Sequence, residues 1–191
     1  MSDLPSKGVL VVPGLEGSGP LHWQSRWLAR HPGWQRVEQA DWYKPEREAW
    51  VRAFDDAVQG SSGPPLVVAH SLGCAVVAHW VASGGHGLAA ALLVAPADVD
   101  SPAHTPDSVR GFAPLPTLRM PFPSLVVASR DDPYVDLARA RAVATGWGSG
   151  FVDLGSSGHI NADSGLGDWL AGLALLEQLT QTSRHGDGAS T

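Results

Sequence analysis

Only one cysteine, Cys74, occurs in 191 residues, so neither an internal disulfide nor a cysteine-rich zinc site is available to the fold. Basic residues are also scarce: 13 Lys and Arg stand against 19 Asp and Glu, a formal net charge of −6. That is the wrong sign for the basic stripe that a phosphate backbone demands, and no nucleic acid partner is expected. No run approaches the ~20 apolar residues of a membrane-spanning helix. Met1-Ser2-Asp3-Leu4-Pro5-Ser6-Lys7 lacks the charged-then-apolar order of a secretory signal. Both observations predict a cytoplasmic protein with no membrane partner. Tyr and Phe number only two and four, whereas Trp reaches eight; packing accounts for the indoles, and no cofactor is expected.

What the chain does contain is material for a core. Hydrophobic residues make up 43% against 17% charged, which excludes disordered, collagen-like and low-complexity classes. The length suits one domain, drawn over residues 1–180, with a polar and mobile tail expected at 181–191. No internal repeat is visible.

Apolar, β-branched runs recur at Val9-Leu10-Val11-Val12, Leu66-Val67-Val68-Ala69, Ala91-Leu92-Leu93-Val94 and Leu125-Val126-Val127-Ala128. They do not alternate with polar residues, so both faces of each strand are expected to be covered, as in a parallel sheet. Weaker candidates at 36–40 and 151–154 bring the expected sheet to about six strands. One-sided helical patterns fall at 21–30 (Trp23, Trp27, Leu28), 46–58 (Trp50, Phe54, Ala57) and 166–179 (Leu166, Trp169, Leu170, Leu173, Leu176, Leu179). Residues 72–82 are apolar nearly all round, which suits a helix buried against the middle of the sheet. Strand and helix thus alternate in an α/β doubly wound layout with right-handed crossovers. Residues 97–123 break the rhythm with six of the 15 prolines, predicting a long irregular crossover that overhangs a site.

In open α/β sheets ligands bind beyond the carboxyl ends of the strands, so the loops after each strand are where chemistry is sought. Ala69-His70-Ser71-Leu72-Gly73 lies between a strand and a helix and resembles the nucleophile elbow G-x-S-x-G, with Ala69 in place of the first glycine. The competing reading, a plain helix N-cap, would not require small residues on both sides of Ser71. A serine hydroxyl needs a base within hydrogen-bond reach, and the base needs an orienting acid. His159, in Ser156-Ser157-Gly158-His159-Ile160-Asn161, is the expected base, because an imidazole takes and returns a proton near neutrality. His70 adjoins the serine, where an elbow points its side chain away.

The expected acid is Asp132 in Ser129-Arg130-Asp131-Asp132-Pro133, since Pro133 would be the first residue of the next helix and Asp132 its N-cap. Asp131 and Asp98 remain rival acids. The order Ser71, Asp132, His159 along the chain is that of α/β-hydrolases. Pro13-Gly14-Leu15-Glu16-Gly17-Ser18-Gly19 follows the first strand, and the backbone amides of Leu15 and Leu72 are assigned to an oxyanion hole.

More narrowly, the chain is similar to the small serine hydrolases of the retinoblastoma-binding-protein/YdeN type over about residues 8–178. The resemblance rests on Val12-Pro13-Gly14, Gly19-Pro20-Leu21-His22-Trp23-Gln24-Ser25-Arg26-Trp27, the elbow, Val94-Ala95-Pro96-Ala97-Asp98 and Asp131-Asp132-Pro133-Tyr134. It implies a three-layer α/β-hydrolase fold without a cap domain. It implies also nucleophilic Ser71, Asp132 as acid and His159 as base, acting on a small carboxylic ester or amide without a metal. The family often carries Asn-Asp-Pro where this chain has Asp131-Asp132-Pro133, which adds a second carboxylate. The L-x-C-x-E element tied to retinoblastoma binding is missing, so that partner is not carried over. Trp23 and Trp27 read as a stripe packed on the sheet, and His22 is placed at the rim of the substrate pocket. Two rival functions remain: an interaction module that kept the fold without turnover, and a metal hydrolase through His22, His70 and His159, which lack recognisable ligand spacing.

Overall fold

The computed structural model describes residues 4–6 and 8–186. Six strands, β1 (Val9–Val12), β2 (Gln35–Arg36), β3 (Leu66–His70), β4 (Ala90–Val94), β5 (Ser124–Ala128) and β6 (Gly150–Asp153), form one sheet in the order β2-β1-β3-β4-β5-β6. Every pairing is parallel, with Val12 opposite Ala69, His70 opposite Val94 and Ala128 opposite Asp153.

Successive strand residues point to opposite faces, and both faces are covered, which is why the strand runs are continuously apolar. Leu10, Val67, Leu93 and Val126 face α2 (Arg47–Gln59), α3 (Leu72–Ala82) and α4 (Leu137–Trp147), meeting Trp50, Phe54, Val76 and Trp147. Val11, Val68, Leu92 and Val127 face α1 (Trp23–Arg30) and α5 (Leu170–Gly186), meeting Trp23, Trp27 and Leu176. Each fully buried large apolar side chain contributes roughly 1.5–3 kcal/mol. The result is the three-layer α/β-hydrolase architecture, with no cap domain among the described residues. Among those residues, too, no helix is long and apolar enough to cross a membrane.

Several boundaries differ from expectation for identifiable reasons. The helix expected from 166 begins at Leu170, because Gly165, Gly167 and Trp169 all have positive φ (66°, 56° and 41°) and turn the chain before it. At its other end α5 continues past Thr180 to Gly186; the rest of the expected tail, 187–191, lies outside the described residues. Asp132 does not cap a helix: α4 starts at Leu137 with Asp136 at its N-cap, and the Asp132 carboxylate instead accepts the backbone N–H of Tyr134 at 2.9 Å.

The proline-rich crossover between β4 and β5 contains a short 3-10 helix, Asp107–Phe112. Two arginines pin it. Arg110 donates to the carbonyls of Val99 (2.5 Å), Ser101 (3.0 Å) and Thr105, while Arg139 holds Asp98 (3.1 Å) and Asp100 (2.5 Å). Carbonyls that a strand would otherwise satisfy are thereby paired without regular structure.

Candidate active site

The first crossover runs from β1 to β2 on one side, and β3 returns to the other side of β1. The helices that follow β1 and β3 therefore lie on opposite faces of the sheet, and the carboxyl edge at this reversal is where a ligand crevice is sought. Ser71 sits there, between the last residue of β3 and the first of α3, with φ 55° and ψ −122°. A non-glycine residue in such a conformation costs of order 1–3 kcal/mol and persists only where its surroundings impose it. The imposition is steric. A Cβ at Gly73 would lie 2.4 Å from the Val12 carbonyl oxygen, and one at Gly14 would lie 2.8 Å from Ser71 Cβ. The glycines let the β1 loop and the elbow touch. Ser71 N–H bonds the Val94 carbonyl at 2.9 Å, and its side chain makes no capping hydrogen bond, leaving the hydroxyl for another partner.

That partner is His159, whose Nε2 lies 2.8 Å from Ser71 Oγ. On the far side of the ring, Nδ1 lies 2.9 Å from both carboxylate oxygens of Asp132. A carboxylate only accepts, so Nδ1 carries the proton and Nε2 accepts the serine O–H. The Asp132 side chain is fully enclosed, and the Tyr134 ring packs 4.4 Å from the imidazole, centroid to centroid. The rival acids are engaged elsewhere. Asp98 pairs with Arg139, and Asp131 accepts Ser129 O–H (2.7 Å) and Gly158 N–H (2.8 Å), contacts that hold its carboxyl below the usual range.

The His159 turn has no regular structure of its own, yet it is tied from several elements. His70 Nε2 donates to the His159 carbonyl at 2.9 Å, and Trp23 Nε1 donates to the Ile160 carbonyl at 2.7 Å. Ser129 Oγ accepts Ser157 N–H at 2.9 Å. The His22-Trp23-Gln24 segment thereby acquires a physical meaning beyond a packed stripe. Gln24 is wholly buried and donates to the carbonyls of Val12 (3.4 Å) and Val68 (3.1 Å), bridging the paired strands β1 and β3. His22 caps α1, its Nδ1 accepting Gln24 N–H, and its ring packs edge-on to His70 at 4.7 Å. Burial, with lesser contributions from His159 and Arg36, lowers the His22 pKa to about 4; burial likewise pushes His70 well below the ordinary histidine value. Both rings are neutral near pH 7.

Ser71, His159 and His22 border one pocket of about 350 Å³, which Leu15, Leu72, Ala97, Thr105, Pro106, Val109, Tyr134 and Asn161 also line. The crossover thus does form a wall of the site. Among the described residues, the N–H groups of Leu15 and Leu72 are not committed to any backbone carbonyl. A larger groove of about 910 Å³ lies at the opposite edge of the sheet, between α2 and the end of α3, and contains none of these groups. Among the described residues, no three His, Cys, Asp or Glu side chains are grouped to hold a metal ion, and Cys74 is buried, its thiol pushed up by desolvation.

Sequence reasoning missed the roles of His70, Trp23, Gln24 and Tyr134. A histidine at the end of a buried strand and a glutamine inside an apolar helix face were the available signals, since a buried polar group requires a partner.

The profile of a family described as serine hydrolase matches residues 9–178. Among solved structures, a YdeN-like hydrolase from Pectobacterium atrosepticum is 34% identical, with 92% of this chain and 91% of that one aligned at a TM-score of 0.81. The ydeN gene product from B. subtilis is 19% identical over 92% and 99% of the two chains, with a TM-score of 0.73. Est1E from Butyrivibrio proteoclasticus shares the fold at 14% identity, over 95% and 90%, with a TM-score of 0.70. No curated protein matches the sequence.

Proposed function

Because the chain belongs to the serine hydrolase family, we propose that it cleaves a small carboxylic ester or amide through an acyl-enzyme on Ser71. The observation that carries this reading is the unbroken relay from Ser71 Oγ through His159 to Asp132, with separations of 2.8 and 2.9 Å. Ser71 Oγ attacks the acyl carbon while its proton passes to His159 Nε2. The carbonyl oxygen takes up the electron pair and is held by the Leu15 and Leu72 N–H groups, the second at a helix N-terminus where negative charge is favoured. His159 then protonates the leaving alcohol or amine as the tetrahedral centre collapses. Water repeats the sequence and releases the acid. Asp132 keeps the imidazole in the Nδ1–H tautomer and stabilises the imidazolium formed in each half-reaction. No metal or cofactor takes part in this scheme.

The test is labelling with a fluorophosphonate and mapping the adduct by mass spectrometry, alongside hydrolysis of p-nitrophenyl esters of increasing acyl length. An adduct on Ser71 is expected, and Ser71→Ala should lower kcat by ~10⁴-fold or more while the protein stays folded. A folded wild-type protein that takes no label would instead favour a non-catalytic interaction module.

A further inference from the structure

We propose that His70 is the positioning residue of the base: its imidazole N–H grips the backbone carbonyl of His159 and sets the distance between His159 and Ser71. The proposal rests on the hydrolase reading, in which His159 moves the proton.

Three observations carry it. First, His159 sits in a turn without helix or strand, between Gly158 and Ile160, both with positive φ (55° and 48°), so local backbone preference does not hold the ring in place. Second, consecutive carbonyls of that turn are gripped by side chains from distant elements. His70 at the end of β3 takes His159 O at 2.9 Å, and Trp23 at the start of α1 takes Ile160 O at 2.7 Å. Third, the donors are part of one rigid cluster: the His70 ring lies 4.7 Å from His22, 4.8 Å from His159 and 6.0 Å from Trp23. His70 itself is the last residue of the buried strand that leads into the elbow, paired with Val94. Nucleophile and base are therefore located from adjacent residues of one strand end, so their spacing does not depend on how the two loops move.

The chemistry also explains why this position holds an imidazole. Lys or Arg would donate to the same carbonyl, but a cation about 5 Å from His159 would oppose the imidazolium that the reaction requires. Buried among His22, His159 and Trp23, the His70 ring stays neutral, with its single proton on Nε2 facing the carbonyl. It donates without adding charge. Misplacing a reacting group by about 1 Å costs on the order of 100-fold in rate, so a single grip of this kind has a measurable effect.

The experiment compares His70→Gln, whose amide N–H reaches close to the position of Nε2, with His70→Leu, which keeps bulk and loses the donor. For the folded proteins acting on p-nitrophenyl acetate, His70→Leu should lose about tenfold in kcat with KM unchanged, and His70→Gln should stay within about threefold of wild type. In ¹⁵N spectra of wild type, the His70 ring should remain a neutral Nε2–H tautomer from pH 5 to pH 8. Equal losses in both variants, or wild-type kcat in His70→Leu, would overturn the proposal. So would a His70 ring that titrates in that range or carries its proton on Nδ1. If His70→Leu does not fold, a loss of more than tenfold in His70→Gln overturns it equally. Failure of the hydrolase reading itself looks different: wild type then takes no label on Ser71, while the imidazole spectrum still decides whether the grip exists.

Discussion

The elbow after β3 and the turn after β6 carry the two ends of the Ser71–His159 hydrogen bond, and they are built by opposite means. At Ser71 the constraint is steric and local: Gly14 and Gly73 allow backbone to press on backbone, and the strained φ of 55° follows. At His159 the constraint is a set of hydrogen bonds from other elements, with donors 89 and 137 residues away in the chain for His70 and Trp23. A wedge of contacting backbone fails all at once when an atom is added, whereas a set of hydrogen bonds fails one member at a time.

The largest effect should come from Gly73→Ala, whose added carbon would sit 2.4 Å from a backbone oxygen that cannot step aside. Loss of folded protein, or of roughly 100-fold or more in kcat per folded molecule, is expected; near-normal turnover would break the contrast. Next comes acid sensitivity of the braced region. His22 has a pKa of about 4 in the folded chain against 6.5 as the ordinary value, so between those pH values the unfolded chain binds more protons. Stability should therefore fall as pH drops from 6.5 to 4, by about 3 kcal/mol from this group, and His22 adds nothing further below that. Urea melts across this range check it. His22→Asn, which retains a helix N-cap, should flatten the curve, and an unchanged slope would remove His22 as the cause.

Smaller again, Trp23→Phe leaves the buried Ile160 carbonyl without its donor and should cost about 2 kcal/mol by thermal or chemical unfolding. A loss in kcat as large as that of Gly73→Ala would show that the brace is as brittle as the wedge. The smallest change is expected from Asp131→Asn, because an amide oxygen still accepts from Gly158 and Ser129; kcat should remain within about threefold of wild type. A collapse of activity there would give Asp131 a part that its hydrogen bonds do not.

The same contrast explains what could be read in advance. The sheet, its order of elements and the elbow are written in short strings, an apolar run or a serine between small residues, so periodicity and spacing reach them. The capping argument for Asp132 fails, since α4 begins at Leu137; the residue meets His159 because an Asx-type turn onto Tyr134 aims its carboxylate there. Sequence can flag His70 and Gln24 as buried polar groups that need partners, but it does not name the partners: His70 and Trp23 reach carbonyls of a distant loop, and Gln24 reaches carbonyls of β1 and β3. The end of α5 differs for a simpler reason: the apolar stripe ends at 180, but none of the polar residues 181–185 stops a helix.

The Arg110 clasp on Val99, Ser101 and Thr105 has a kinetic corollary. The clasp ties the crossover to itself, and Arg139 ties Asp98 and Asp100 to α4, so on the hydrolase reading turnover is expected without a lid-opening step that an oil–water boundary would favour. Hydrolysis of a sparingly soluble ester should rise smoothly with concentration and show no jump in rate when the substrate begins to form micelles, unlike an enzyme that waits for an interface to open it.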